Sequence, residues 1–259
     1  MRWGLWALLA TLGLLPLSAQ VFPSEPTPEL QGQARARLEA WRASRLASLC
    51  NDWGELNRYR SENRLLPPPK AGEARVVFLG DSITEAWPLQ KSFPGRPFVN
   101  RGISGQTTAQ LLLRFRPDVI DLKPQVVFIL AGTNDIAGNT GPVTEAEILG
   151  NLASMGELAQ AHGVRPVFCS VLPVHRATPT SLDFWATRPM SRIRALNQGL
   201  QQLCKSKGYT YLDAFTPMLD EAGQLRPDLA DDGLHPNEAG YRQLGTLVTA
   251  ALRGLLGGG

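Results

Sequence analysis

Hydrophobic and polar positions divide the chain into two unlike parts. From Arg75 onward, short apolar runs alternate with longer stretches in which apolar residues recur every three or four positions. The runs at 75–80, 97–102, 125–131, 165–171 and 209–213 predict strands. The stretches near 106–116, 143–162, 188–207 and 236–253 predict helices. The helix near 143 is the best signed. Thr144 and Glu147 have the spacing of a capping box, Ile148, Leu152, Met155 and Ala159 line one face, and Gly163 follows the end. Strands that alternate with helices in this way predict an α/β fold with an open, mostly parallel five-stranded sheet covered on both faces.

Before Arg75 the pattern changes. Residues 20–30 are rich in Pro and polar side chains and read as a linker; 31–64 read as a helical arm that the Pro67-Pro68-Pro69 run ends. Leu46, Leu49, Trp53 and Leu56 form a stripe expected to be buried on the main domain, away from Ser82. The opening "MRWGLWALLATLGLLPLSAQ" has one positive charge, an apolar run and small residues near Ser18-Ala19. It reads as a signal peptide over 1–19, so export to the periplasm or the exterior is expected, with no stable membrane insertion after cleavage. An uncleaved anchor is the alternative, disfavoured by a short run that Gly13 and Pro16 interrupt. The layout is then 1–19 signal peptide, 20–74 linker and arm, and 75–255 main domain.

Composition adds exclusions. The formal net charge is +3, with Lys and Arg scattered, which argues against a nucleic-acid partner. No phosphate-binding loop and no paired Cys-x-x-Cys zinc pattern occurs. Cys50, Cys169 and Cys204 suggest no disulfide framework, and Cys169, in an apolar strand, reads as a small core residue.

Ligands of open α/β sheets bind beyond the carboxyl ends of the strands, and those ends carry the polar residues of interest. The first run, "VVFLG", stops at Asp81-Ser82; the second leads into "NRGISGQTT"; the third into "AGTNDIAG"; the fifth, after a long loop, into "DDGLHPNEAGY". Ester hydrolysis needs a hydroxyl, an imidazole to take its proton, a carboxylate to orient the imidazole, and donors waiting for the oxyanion. Ser82, His235, Asp232, the backbone N–H groups of Ser82 and Gly105, and the Asn134 amide supply each part. Each fragment also has a plainer reading: Asp81-Ser82 as a helix N-cap, "GTND" as a turn with Asp135 ordering its own loop, "HPNEAGY" as a helix start. All four occurring in order, each just beyond a strand, favours the chemical reading.

These blocks resemble the SGNH hydrolases, also called GDSL-type esterases and lipases, over about residues 75–253. "GDSIT" carries Ile83 where the family name has Leu and implies Ser82 as nucleophile and first oxyanion donor. "NRGISGQTT" implies Gly105, of the Ser-Gly pair, rather than Gly102 as second donor; "GTND" implies Asn134 as third; "DDGLHPN" implies Asp232 and His235, with Asp231 out of register. The resemblance implies a flavodoxin-like three-layer α/β/α sandwich, strand order 2-1-3-4-5, and no metal or organic cofactor. The Gly-x-Ser-x-Gly elbow of α/β-hydrolases is absent around Ser82.

Of the other histidines, His162 reads as a polar group at a helix end, and His175 as a residue that reaches the site mouth or lies in a solvated loop. Asp81, Asp135, His175, Phe184 and Trp185 are the candidate substrate-binding residues; the two aromatics lie in the long loop 172–190, where packing onto the sheet is the plainer role. The absence of a long apolar lid pattern favours a short, acetyl-type acyl group on a small-molecule or carbohydrate ester. A lysophospholipase or acyltransferase of the same family, or a non-catalytic acyl-sugar binding module, is the alternative.

Overall fold

The structure, a computed structural model, describes residues 27–178 and 181–256. The expected signal peptide and most of the linker lie outside the described residues. Five parallel strands, β1 (Val76–Gly80), β2 (Phe98–Gly102), β3 (Val126–Leu130), β4 (Arg165–Cys169) and β5 (Thr210–Leu212), form one sheet in the order β2-β1-β3-β4-β5. β1 and β3 are buried along their whole length, as central strands covered on both faces must be, and this is why they read as unbroken apolar runs.

The helices expected between strands are present, with 106–116 divided into Thr108–Leu113 and Phe115–Asp118. Thr144 and Glu147 form the capping box at the start of Glu145–Ala161. That helix packs on Thr108–Leu113 and on Met190–Lys207. Toward the C-terminal helix Glu238–Leu256, Phe78, Trp87, Phe93, Phe98 and Phe128 make an aromatic layer, and Tyr241 closes it with its ring 5.6 Å from that of Trp87. Cys169 and Cys204 are buried free thiols in this core, whereas Cys50 is exposed.

Two glycines let the sheet edge carry a helix. Gly80 and Gly102 stand level in the β1–β2 register, and the short helix Ser82–Glu85 folds back over both. A Cβ on Gly102 would lie 2.1 Å from the Glu85 backbone nitrogen; one on Gly80 would lie 2.6 Å from the Leu130 carbonyl oxygen.

The arm departs from expectation. Helix α1 (Pro28–Asn51) stops at Asn51, and a second short helix spans Arg60–Leu65. Between them the Asp52 carboxylate accepts from the backbone N–H groups of Leu56 and Asn57, and Glu55 adopts a positive φ of 52°. The Leu46/Leu49/Trp53/Leu56 stripe therefore straddles a turn rather than one helix face. Leu46 is 60% exposed, Trp53 41% and Leu56 38%, so the expected burial does not occur. The residues of α1 that face the protein are others, Ala34 foremost, and the helix lies against Leu182–Thr187 at the mouth of the Ser82 cleft, not away from it.

Gly102→Ala should destabilise the fold by about 3 kcal/mol or more, because the clash is with backbone that cannot swing aside. Gly150→Ala, where a methyl group meets only open space, should be neutral or slightly stabilising. Urea unfolding of the two variants checks the contrast.

Candidate active site

Ser82 is the first residue of the helix that follows β1, and Asp81 is its N-cap, accepting from the Ile83 N–H at 3.0 Å. A first-turn N–H has no intrahelical acceptor, so the Ser82 amide remains available at the sheet edge. The Ser82 hydroxyl lies 2.9 Å from His235 Nε2. The other ring nitrogen, Nδ1, lies 2.6 Å from Asp232 Oδ2, while Asp232 Oδ1 accepts from the backbone N–H groups of Leu234 and His235 at 2.9 and 2.8 Å. Burial pushes the Asp232 carboxyl up, but the His235 side chain, these backbone donors and the imidazole charge together outweigh burial and hold it at about 2. Ionised, it can only accept, so the proton it shares sits on Nδ1, and in the neutral imidazole Nε2 is left to accept from Ser82.

Gly105 and Asn134 face the same space. Gly105 turns the chain with φ of 80°, and its carbonyl accepts from Asn139 Nδ2 at 2.9 Å. Asn134, at the start of the helix after β3, donates through Nδ2 to the Gln106 carbonyl at 3.1 Å and accepts at Oδ1 from Arg188 at 3.0 Å. Those two partners fix which end of the amide is the donor and leave one N–H of Nδ2 for a ligand. Ser82, Gly105, Asn134, Phe184 and His235 line one cavity of about 430 Å³, with Asp232 behind the imidazole. The arrangement can draw a proton from the serine hydroxyl while presenting N–H donors beside it.

The chain matches the GDSL-like Lipase/Acylhydrolase family over residues 78–243, which includes every one of these residues. The chain belongs to that family. A GDSL-like lipase from Bacteroides thetaiotaomicron is 38% identical, with a TM-score of 0.72 over 78% of this chain and 99% of that one. An acetylxylan esterase of Xylanibacter ruminicola is 24% identical over 225 residues, 73% of this chain and 45% of that protein. An uncharacterized lipoprotein of Bacillus subtilis is 39% identical over 79 residues, 29% of this chain and 32% of that protein. The match thus spans less than half the length of either of these two curated relatives.

In this GDSL-family chain several expected substrate contacts are internal supports instead. Asp135 is buried and accepts from Thr108 N–H and hydroxyl, tying the loop after β3 to the helix after β2. His175 is neither at the mouth nor solvated: it is 1% exposed, with Nε2 2.7 Å from the Ala230 carbonyl. Its backbone N–H donates to the Gly233 carbonyl, so it props the loop that presents Asp232. Trp185 is buried under Arg176, away from the cavity, whereas Phe184 stands edge-on to His235 with centroids 5.5 Å apart. His162 is exposed at its helix end, against the Leu158 carbonyl. Asp231 points elsewhere, to Asn237. Among the described residues, no group of three or more His, Cys, Asp or Glu stands arranged to hold a metal.

Arg188 and the arm residues Ala34, Arg37, Leu38, Trp41 and Arg45 also line the cavity, and no motif marks them. Arg188 is buried and donates to the Thr133 and Thr187 hydroxyls as well as to Asn134. Burial pulls its guanidinium down to about 10 against the opposing charges of Asp81 and Asp232, so it stays charged at neutral pH.

Asp81 is the electrostatic cost of the site. Burial pushes its carboxyl from 3.8 up to about 6, despite the Ile83 N–H and the nearby His235 and Arg188. The folded state then keeps a proton that the unfolded chain releases near pH 4, so stability falls as pH rises from about 4 to about 6, by at most about 3 kcal/mol. Asp232 acts oppositely and lower, its stabilisation disappearing as pH falls from about 4 to about 2. Denaturant titrations from pH 4 to 7 should show this loss in the natural protein and a flatter profile in Asp81→Asn.

Proposed function

We propose that the protein is a serine esterase that hydrolyses short-acyl carboxylic esters, with Ser82 as nucleophile, His235 as base and Asp232 as its orienting acid. The observation that carries the reading is the continuous line from the Ser82 hydroxyl to His235 at 2.9 Å and on to Asp232 at 2.6 Å. As Ser82 Oγ bonds to the ester carbon, its proton passes to Nε2 and the carbonyl electron pair moves onto oxygen. The Ser82 and Gly105 N–H groups and the free N–H of Asn134 receive that oxyanion. When the tetrahedral adduct collapses, the carbon–alkoxide bond breaks and the imidazolium returns its proton to the departing alcohol. Water repeats the sequence on the acyl-enzyme, giving up its proton to His235, and releases the acid and free Ser82.

The acyl preference rests on the cavity, about 430 Å³ and walled on the side of α1, and on the likeness to an acetylxylan esterase. An acetyl ester of a carbohydrate is accordingly the first natural-type substrate to test. The reading extends to location: residues 1–19 direct export. The lipoprotein relative is compatible with that, and no helix among the described residues is long and apolar enough to cross a membrane.

With p-nitrophenyl acetate, Ser82→Ala should lose nearly all turnover while keeping its circular dichroism and melting behaviour. Asn134→Ala should lower kcat by about 10²–10³ with a smaller change in KM, since the donor acts on developing charge. A variant altered in KM alone would make Asn134 a ground-state contact instead.

Asp232→Asn should depress kcat severely by favouring the wrong imidazole tautomer, and Asp231→Asn should do little. The reverse ranking in steady-state kinetics would shift the acid by one residue.

A further inference from the structure

Helix α1 lies outside the matched family region, which begins at residue 78, yet it forms one wall of the cavity. Ala34, Leu38 and Trp41 recur at i, i+4 and i+7, one face of a helix, and all three line the cavity. Trp41 lies directly over the proposed oxyanion-hole loop: a Cβ on Gly105 would come within 2.8 Å of its indole. The helix is fastened to that loop and to the opposite rim. Arg45 donates to the Ser104 carbonyl at 3.2 Å, pairs with Glu55 at 2.7 Å, and stacks 5.2 Å from the Trp41 ring centroid. Arg42 donates to the carbonyl of Asn139, whose side chain in turn holds Gly105. Arg37 pairs with Asp183, beside Phe184.

The substituents of the reacting carbon then divide between two sides. The alcohol must leave within reach of His235 Nε2, where Phe184 and Leu234 border the cavity. The acyl group points away from that proton donor, and Trp41, whose indole covers the Gly105 loop, and Leu38 are the apolar α1 residues of the lining available to meet it. Trp41 is 36% exposed, so an acyl chain has apolar surface to cover there.

We propose that Leu38 and Trp41 of α1 are specificity-determining residues that limit the length of the acyl group. The proposal rests on the esterase reading above. It assigns the choice of substrate to a helix outside the matched family region. One methylene admitted to or excluded from an apolar pocket changes kcat/KM about 10–200-fold.

The test uses the full chain and two ester series: p-nitrophenyl acetate, butyrate and octanoate, which vary the acyl group, and methyl, ethyl and benzyl acetate, which vary the alcohol. Trp41→Ala and Leu38→Ala should raise the octanoate-to-acetate ratio of kcat/KM at least tenfold, with the alcohol series shifted less. Leu38→Phe should lower the butyrate-to-acetate ratio. Leu46→Ala, on the exposed side of the same helix, should leave every ratio unchanged. A fluorophosphonate probe keeps the two readings apart. If the natural protein is not labelled, the esterase reading itself has failed. If the variants label at the natural rate but their acyl ratios stay put, or only the alcohol ratios move, the assignment to Leu38 and Trp41 is overturned.

Discussion

The register of the three adjacent strands β2, β1 and β3 is the constraint on which the rest of the molecule depends. Gly80, Gly102 and Leu130 stand level across β1, β2 and β3, so three loops leave one sheet edge side by side. Those loops carry Ser82, Gly105 and Asn134. Residues up to 52 positions apart in sequence therefore converge. A buried guanidinium holds the junction from beneath. Arg114 donates to the carbonyls of Gly80 and Arg101 at 3.0 and 2.8 Å, to Gln106 Oε1 at 2.6 Å, and pairs with Asp118 at 3.0 Å. Burial pulls its pKa down, and the Asp118 charge opposes that pull. Removing either partner would leave an unpaired buried charge, which is far more costly than the pair is stabilising.

Around the cavity the polar groups divide between those that face it and those that hold the first set in place. Asn139 and Arg188, which line the cavity themselves, bond directly to Gly105 and Asn134, whereas Asp135 and His175 brace the loops from behind through Thr108, Ala230 and Gly233. Arg188 and the Gln106 carbonyl orient the Asn134 amide from opposite ends. Preorganisation of this kind lets donors meet a developing charge without reorganising. The uncomfortable group is Asp81, buried with one oxygen lacking any partner. It caps the helix that presents Ser82, and the charge it withholds below about pH 6 is the strain of putting a carboxyl at that spot.

What can be read from the chain follows from the range of the forces involved. β1 and β3 are legible because both faces are buried and every residue is apolar. The capping box at Thr144 is legible because its partners are three residues apart. Asp232 and His235 are legible as a pair for the same reason, and Ser82, Gly105 and Asn134 because each directly follows a strand. The arm is misread because a 3.6-residue periodicity carries no information about the turn after Asn51, which the Asp52 carboxylate holds through the N–H groups of Leu56 and Asn57. Trp41 and Leu38 look like ordinary helix residues until the long-range contacts of Arg42 and Arg45 bring α1 over the cleft. His175 and Arg188 escape notice because a buried side chain that hydrogen-bonds a distant carbonyl or amide leaves no local pattern.

The central claim is that Ser82 is an activated nucleophile because His235, oriented by Asp232, takes its proton. Peptide mapping after reaction with a fluorophosphonate tests this most directly, with natural protein and His235→Ala treated side by side. The account predicts one adduct, on the peptide carrying Ser82, formed rapidly in the natural protein and at least a thousandfold more slowly without the imidazole. An adduct on another residue, or equal labelling of Ser82 in both proteins, would contradict it.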